Sequence, residues 1–167
     1  DWTEYGIIAT GDGEKLERWG KLTLLRPDPQ IIWHAQKPLR SYKGIDAVYE
    51  RSVTGGGMWR FNREIDTDFK LCWRDLTFSL KLMGFKHTGL FPEQATNWDR
   101  MIKLIKGSRR KISVLNLFGY TGAASVACKS AGADVCHVDG AKAMVERAGE
   151  NLRLSGLDSA GMRFIVD

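Results

Sequence analysis

A chain of 167 residues with 43% hydrophobic content and a formal net charge of +5 is long enough for one domain or two small ones. It contains no apolar run of about 18 residues and no signal-peptide pattern, which argues against a membrane protein or an exported one and favours a cytoplasmic location. Because Cys72, Cys128 and Cys136 lack the spacing of metal ligands, we expect reduced thiols and no metal site.

The first part of the chain is predicted to be rich in β-strands. Short apolar runs at residues 5–10, 21–25 and 58–61 have the composition of strands. Gly11-Asp12-Gly13 has the composition of a hairpin turn. Pro27 ends the second run because proline cannot donate to a strand ladder.

The connections in this part are less regular. The polar segment that contains Trp19 is expected to link two strands, and residues 31–33 are expected to resume extended structure. Residues 54–57, Thr-Gly-Gly-Gly, are expected to form a turn between strands. A triple glycine can also bind phosphate through its N–H groups, so that alternative stays open.

Aromatic side chains are dense in the same part and alternate with Arg and Lys. They would either form the core of a small sheet or stack on unpaired bases of a nucleic acid. The net charge of +5 is compatible with such a polyanionic partner. The aromatic residues are Trp2, Tyr5, Trp19, Trp33, Tyr42, Tyr49, Trp59, Phe61, Phe69 and Trp73.

A strand and a helix are predicted before residue 110. Residues 76–82 alternate apolar and polar side chains, the pattern of a half-buried strand. Pro92-Glu93-Gln94 is typical of a helix start, and Gly107 ends the helix. Its buried stripe would consist of Trp98, Met101, Ile102 and Ile105.

The pattern then changes to strand, glycine turn and helix. The apolar run that opens at Ile112 predicts a short strand buried on both faces. Gly119 and Gly122 bracket a turn that lets a ligand approach the main chain. The small residues from Ala123 to Cys128 predict a helix whose first N–H groups point towards whatever lies over that turn.

Two more strands follow, at residues 135–138 and 162–166, with a helix at 141–154 between them. Two right-handed crossovers would place the three strands in the order 3-2-1. Asp139 ends the second strand at nearly the spacing of about 20 residues that separates a glycine turn from a ribose-binding acid. The alternative role for Asp139 is to cap the following helix.

Three segments carry a resemblance to a known family. Asn-Leu-Phe-Gly-Tyr-Thr-Gly-Ala at 116–123, Val-Asp-Gly-Ala-Lys at 138–142 and Asn-Leu-Arg-Leu-Ser-Gly-Leu at 151–157 resemble class I S-adenosylmethionine-dependent methyltransferases. They are most similar to the branch with the large-subunit rRNA cytosine-5 and guanine enzymes. Residues 85–94 are similar to a segment that these enzymes carry just before the cofactor domain.

The resemblance implies an α/β fold, namely the first half of a Rossmann-like class I methyltransferase sheet, preceded by a β-rich N-terminal region. Residues 1–90 would form that region, which could face RNA, and residues 91–167 the N-terminal half of the cofactor domain. The implied cofactor is S-adenosylmethionine and the implied partner is RNA, an rRNA base in particular. The implied cofactor-binding residues are Phe118, Gly119, Tyr120, Thr121, Gly122, Asp139, Gln94 and Asp167.

The family pattern is incomplete in this chain. The Asp-Pro-Pro motif that positions the base is absent, so the catalytic residues are unknown and expected beyond residue 167, and this polypeptide alone is expected to be inactive. The first strand of the half-sheet would be an open edge that favours pairing with a partner, for instance in a homodimer. Two other functions stay open: a non-catalytic RNA-binding module, and a dinucleotide-binding oxidoreductase domain, which Asn116 disfavours because a glycine is expected there.

Overall fold

A computed structural model of the chain describes residues 2–53, 56–82 and 86–167. The chain forms two compact units. The first unit comprises Asp1–Trp73 with Leu80–Thr88, and the second comprises Arg74–Ser79 with Gly89–Asp167. The glycine-rich turn expected at residues 54–57 and the first residue of the 85–94 segment fall partly or wholly outside the described ranges.

The first unit contains a five-stranded sheet in the order β1-β2-β3-β4-β5. Neighbouring strands are antiparallel except for β3 and β4, which are parallel. The strands are β1 (Tyr5–Gly11), β2 (Glu14–Trp19), β3 (Leu22–Pro27), β4 (Ala47–Arg51) and β5 (Gly57–Phe61). A short 3-10 helix, Leu39–Ser41, lies between β3 and β4.

Two expectations about this sheet are wrong. The polar segment with Trp19 is strand β2, whose Glu17 is fully buried and paired with Arg26, so a charged residue occupies an inward position. Residues 31–33 are not a strand. They cross the β1–β2 turn, where the Trp33 carbonyl accepts from the N–H of Asp12 at 2.8 Å and the Ile31 carbonyl accepts from that of Gly13 at 2.9 Å.

The core of the first unit lies between the sheet and the 3-10 helix. Leu16, Leu25, Leu39 and Val48 form a buried cluster. At fully buried apolar positions each such side chain contributes about 1.5–3 kcal/mol. Strand β6 (Asp68–Trp73) pairs with β7 (Leu76–Lys81), and the boundary between the two units falls within β7.

The second unit is built on a parallel three-stranded sheet in the order β10-β9-β8. Each crossover between successive strands contains one helix, as parallel pairing requires. Its elements are α1 (Ala95–Gly107), β8 (Ser113–Asn116), α2 (Ala123–Ser130), β9 (Asp134–Asp139), α3 (Lys142–Leu154) and β10 (Met162–Val166). A single 3-10 turn, Pro92–Gln94, leads into α1.

The predicted stripe of α1 packs into the core of this unit. Trp98 and Ile102 are buried. Met101 and Ile105 lie against a buried cluster of Cys128, Ala133 and Val135. No helix in the described ranges is both long and apolar enough to cross a membrane.

Strand β8 is not buried on both faces, contrary to the expectation from its apolar run. The side chain of Leu115 is 63% exposed, and Leu117, just beyond the strand, is 54% exposed. The reason is topological, because β8 is an edge strand: of the strands that the structure describes, only β9 pairs with it.

Candidate functional site

The turn between β8 and α2 has a strained backbone. Phe118 and Tyr120 both have φ of 53°, and Gly122 has φ of 83°. Left-handed conformations cost non-glycine residues about 1–3 kcal/mol each and concentrate at ligand sites. Surrounding contacts must therefore hold this turn in place.

Four hydrogen bonds supply that support. The N–H of Gly119 donates to the Val138 carbonyl at 2.9 Å, and the N–H of Tyr120 donates to Asp139 Oδ2 at 2.8 Å. The hydroxyl of Thr121, a fully buried residue, donates to the Gly89 carbonyl at 2.6 Å. Asn151 of α3 donates from Nδ2 to the Thr121 carbonyl at 2.8 Å.

Both glycines of the turn are needed for close packing. A Cβ added to Gly119 would overlap the ring of His137, and one added to Gly122 would lie 2.5 Å from the Cβ of Ala148. Gly122 also requires its left-handed φ at the start of α2. The turn therefore rests directly on β9 and α3.

His137 lies beneath the turn in a polar network. Asn116 Nδ2 donates to Ser125 Oγ at 2.8 Å, and Ser125 Oγ lies 3.0 Å from His137 Nδ1. Burial lowers the pKa of His137 below its usual 6.5, although the nearby Asp139 carboxylate acts in the opposite direction. The imidazole is therefore neutral at pH 7 and acts as a packed support.

An open cavity of about 350 Å³ lies over the turn. That volume is within the range of small-molecule sites, about 300–1,000 Å³. Five of the eight predicted site residues line it, namely Gln94, Phe118, Gly119, Tyr120 and Thr121. The other lining residues are Leu90, Phe91, Glu93, Trp98, Met101, Asn116, Ala123 and Ala124.

Aromatic groups frame the mouth of this cavity. The rings of Phe91 and Tyr120 lie 5.0 Å apart, centroid to centroid, and Phe118 is 90% exposed. The side chain of Gln94 accepts from Asn97 Nδ2 at 2.9 Å through Oε1. The amide N–H groups of Gln94 and the second lone pair of Oε1 can serve a ligand.

Asp139 is held at the end of β9, next to the turn. Its Oδ2 accepts from Tyr120 N–H and its Oδ1 from the N–H of Ala141 at 2.9 Å. The α3 N-cap is Ala141, with no side-chain cap, so Asp139 does not cap that helix. A carboxylate has about four lone-pair sites, so two backbone donors leave capacity for ligand hydroxyls.

The three remaining predicted residues do not line the cavity. Gly122 lies behind the turn, and Asp139 lies beside it. Asp167 is exposed after the end of β10, and its N–H donates to the Asp139 carbonyl at 3.2 Å. The structure thus brings Asp139 and Asp167 together at the ends of neighbouring parallel strands.

Sequence reasoning missed the residues that support the turn. Ser125, His137 and Asn151 are all fully buried, and each makes a polar contact with the turn or its flanks. Asn151 also accepts from the Ser79 N–H at 2.8 Å. The one available signal was a polar Asn at a position where α3 otherwise presents apolar residues to the core.

The structure shows no cluster of three or more His, Cys, Asp or Glu side chains suited to a metal ion, within the residues that it describes. Burial raises the pKa of the Cys128 thiol to about 11, so it stays protonated at neutral pH. Cys72 is exposed and Cys136 is half-buried.

Comparison with known proteins identifies similar chains. A solved S-adenosylmethionine-dependent methyltransferase from Agrobacterium tumefaciens is 35% identical, with a TM-score of 0.90 over 99% of this chain and 53% of that one. The resemblance to S-adenosylmethionine-dependent methyltransferases is confirmed. This chain also has the fold of a candidate methyltransferase of this kind from Streptococcus mutans, at 22% identity and a TM-score of 0.76 over 99% of this chain and 46% of that one.

The methyltransferase resemblance extends to curated proteins. The ribosomal RNA large subunit methyltransferase K/L of Shewanella frigidimarina is 39% identical over 90 residues, which are 53% of this chain and 12% of that protein. This chain therefore spans about half of the Agrobacterium methyltransferase and matches a small part of the curated relative. No family model matches the chain.

Proposed function

We propose that this chain binds S-adenosylmethionine and forms part of a methyltransferase that acts on RNA, with an rRNA base as acceptor. One structural observation carries the proposal: a strained glycine turn, tied to the carboxylate of Asp139, opens onto a cavity of about 350 Å³. The likeness to a solved methyltransferase over almost the whole chain supports it. The rRNA acceptor rests on the curated relatives, whose names specify ribosomal RNA.

The residues of the site fit such a cofactor. Asp139 would accept the ribose hydroxyls with the lone pairs that Tyr120 and Ala141 leave available. The backbone at Gly119, which lines the cavity, would lie against the methionine and ribose part. Gln94 would donate to the cofactor from its amide, and Asp167, next to Asp139, would accept from the adenine amino group.

The chemistry would be transfer of the electrophilic sulfonium methyl group to a nucleophilic atom of the base. The main task of these side chains would be to hold the donor in one orientation. Correct orientation of the two reacting groups can lower the activation free energy by at most about 7–11 kcal/mol. The aromatic rings of Phe91 and Tyr120 would help to exclude water from the mouth of the cavity.

We further propose that β8, β9 and β10 form the first half of a Rossmann-like class I methyltransferase sheet. The parallel order β10-β9-β8 supports this, since ligands of such folds bind beyond the carboxyl ends of the strands. The edge of β8 would pair with further protein, in a homodimer of this polypeptide for example. We also propose a cytoplasmic location, which is compatible with a role on rRNA.

Isothermal titration with S-adenosylhomocysteine tests the cofactor site. We expect binding to the wild-type chain and an affinity about 10- to 100-fold weaker for Asp139→Ala, because two charge-assisted hydrogen bonds to the ribose are lost. Gln94→Ala should also weaken binding without affecting the turn. Titration with NADH should give no comparable affinity.

Asp158→Ala is the matched control. Asp158 also accepts the N–H of the residue two positions on, Ala160, but it lies in an exposed loop before β10. This variant should bind S-adenosylhomocysteine like the wild type. An unchanged affinity of Asp139→Ala, or tight NADH binding without S-adenosylhomocysteine binding, would contradict the proposal.

A further inference from the structure

A second cavity, of about 370 Å³, lies on the first unit and shares no lining residue with the cavity over the glycine turn. It is lined by β1 and by the segment that follows Ile32, including Thr10, Trp33, His34, Lys37, Leu39 and Tyr42. We call it the aromatic groove. None of its lining residues, all of which the structure describes, is acidic.

Trp33 is the most exposed of the tryptophans that the structure describes. It is 53% exposed, whereas Trp19, Trp59, Trp73 and Trp98 are buried and Trp2 is half-buried. Its Nε1–H donates to Thr10 Oγ1 at 3.1 Å, which fixes the ring against β1. Indole has a single donor, so the remaining surface of this ring is an apolar plate without an unmet hydrogen bond.

The backbone beneath Trp33 is held firmly. The Trp33 carbonyl accepts from the Asp12 N–H at 2.8 Å, and Asp12 also accepts from His34 Nδ1 at 2.8 Å and from the N–H of Ala35 at 3.2 Å. A Cβ added to Gly11 would overlap the backbone of Ala35, so the segment packs tightly on β1. The aromatic plate is therefore presented by a preorganised loop.

Positive charge lies beside the plate. Lys37 Nζ lies 3.8 Å from the centroid of the Tyr42 ring, a cation–π contact at the edge of the groove. The sequence from residue 36 to residue 45 contains Lys37, Arg40 and Lys43 and no acid. Glu14 pairs with Arg40 at 3.0 Å, which leaves the two lysines as the cations without an acidic partner in the described ion pairs.

A fixed indole, a second aromatic ring and a lysine, without an acid in the lining, match the chemistry that binds unpaired nucleotides. Bases of any sequence can stack on an aromatic face, and lysines bind the backbone phosphates. An acidic peptide would use the lysines but would gain little from the flat indole. Charge and shape together favour a nucleic acid strand.

We propose that the aromatic groove binds single-stranded RNA, with a base stacked on Trp33 and a phosphate near Lys37. This inference rests on the proposed function and extends it, because it identifies a surface of the first unit that would hold the RNA substrate. It predicts binding that tolerates many sequences and weakens as salt is raised.

The test uses the full chain and a fluorescein-labelled oligo(A) RNA of about 12 nucleotides, the upper range of a stacking-type binding site. Trp33→Ala should weaken binding roughly 5- to 100-fold, whereas Trp33→Phe should restore most of the affinity because it keeps an aromatic face. Lys37→Ala should reduce the slope of log affinity against log salt by about one phosphate contact.

A second readout reports stacking directly. Since Trp33 is the most exposed of the described tryptophans, unlabelled RNA should quench part of the intrinsic fluorescence of the wild-type chain, and most of this quenching should be lost in Trp33→Phe. Phe61→Ala, a change of an exposed aromatic residue on β5, is the control and should leave RNA affinity unchanged. Matching thermal melts would show that all variants are folded.

Three outcomes would overturn the proposal: no RNA affinity, equal affinity of Trp33→Ala and wild type, or equal affinity for a duplex of the same length. Failure of the cofactor site gives a different pattern. Trp33-dependent RNA binding without S-adenosylhomocysteine binding would reject the proposed cofactor and leave the aromatic groove supported. Binding of S-adenosylhomocysteine by Trp33→Ala at wild-type affinity would show that the two sites act separately.

Discussion

Gly119 is the residue on which the geometry of the glycine turn depends most directly. Gly119→Ala would place a methyl group in the volume of the His137 ring. We expect a loss of about 1–3 kcal/mol in the free energy of unfolding, as for other overpacked sites, together with weaker binding of S-adenosylhomocysteine. Chemical denaturation and titration calorimetry measure the two effects.

Two further variants show whether His137 is the cause. Gly149→Ala, in α3, meets no atom within 4 Å and should stabilise the chain by up to about 1 kcal/mol through helix propensity. Gly119→Ala should cost less in a His137→Ala background, where the ring is gone, than in the wild type. An equal cost in both backgrounds would show that another contact is responsible.

At this scale the sequence predicted the turn but not its support. Gly119, Gly122 and Asp139 follow one another in the order of a βαβ unit, and that order is visible along the chain. The position of His137 beneath Gly119 is not, because it depends on how β9 lies beside β8. Asp139 was predicted as a ligand acceptor, yet its bond to the Tyr120 N–H became visible only in the structure.

The pairing of β2 and β3 includes a buried ion pair. Arg26 donates to both carboxylate oxygens of Glu17, at 2.7 Å and 2.9 Å, and to the Lys86 carbonyl at 2.9 Å. Tyr5 donates its hydroxyl to Glu17 at 2.7 Å. Burial acts to raise the pKa of Glu17, but the bond from Arg26 and its charge together keep that pKa below 4.5.

We expect Arg26→Ala to lower the free energy of unfolding by about 3–5 kcal/mol, because it removes the guanidinium that bonds both oxygens of a buried carboxylate and leaves only Lys15, at 3.7 Å, as a charged partner in the described ion pairs. Glu17→Gln combined with Arg26→Met should cost clearly less than Arg26→Ala alone. Because the pKa of Glu17 is lowered in the fold, its carboxylate stabilises the fold above pH 4.5, and this contribution is lost as the pH falls further. Arg26→Ala should therefore make the free energy of unfolding depend less on pH in this acidic range. Urea titrations at several pH values measure both effects.

Arg60→Ala is the control for this pair. Arg60 and Glu50 form an ion pair at 2.8 Å on the surface, with side chains 55% and 43% exposed. Its loss should change stability by less than about 1 kcal/mol. A cost for Arg60→Ala as large as that for Arg26→Ala would contradict the importance of burial.

The elements that sequence reasoning predicted well are those with local periodicity. The stripe of α1 and the alternation in β7 depend on neighbours a few residues apart, and both are present. Strand β2 was missed because Glu17 breaks the expected apolar pattern, and its partner Arg26 lies nine residues away. Residues 31–33 have strand-like composition, but their carbonyls bond to the β1–β2 turn.

For the molecule as a whole, the apolar edge at β8 predicts self-association. Leu115 and Leu117 are exposed beside a strand whose outer backbone groups have no described ladder partner. We expect the sedimentation coefficient to rise with protein concentration, and Leu115→Lys to reduce this rise, because a charge on an edge strand opposes pairing.

Leu104→Lys is the matched control, since Leu104 on α1 is 65% exposed and Leu115 is 63% exposed. Loss of association in both variants would indicate a general effect of charge. Association that persists in Leu115→Lys would place the contact on another surface of the chain.

The contacts of Asn151 imply that the glycine turn cannot be transferred to another protein by itself. One amide receives the Ser79 N–H and donates to the Thr121 carbonyl, so it couples a strand far upstream to the glycine turn. A graft of residues 116–123 onto a foreign scaffold would lack these hydrogen bonds of Asn151. Phe118 and Tyr120 would then relax from positive to negative φ. A working graft must carry the α3 amide and a strand that supplies the matching N–H.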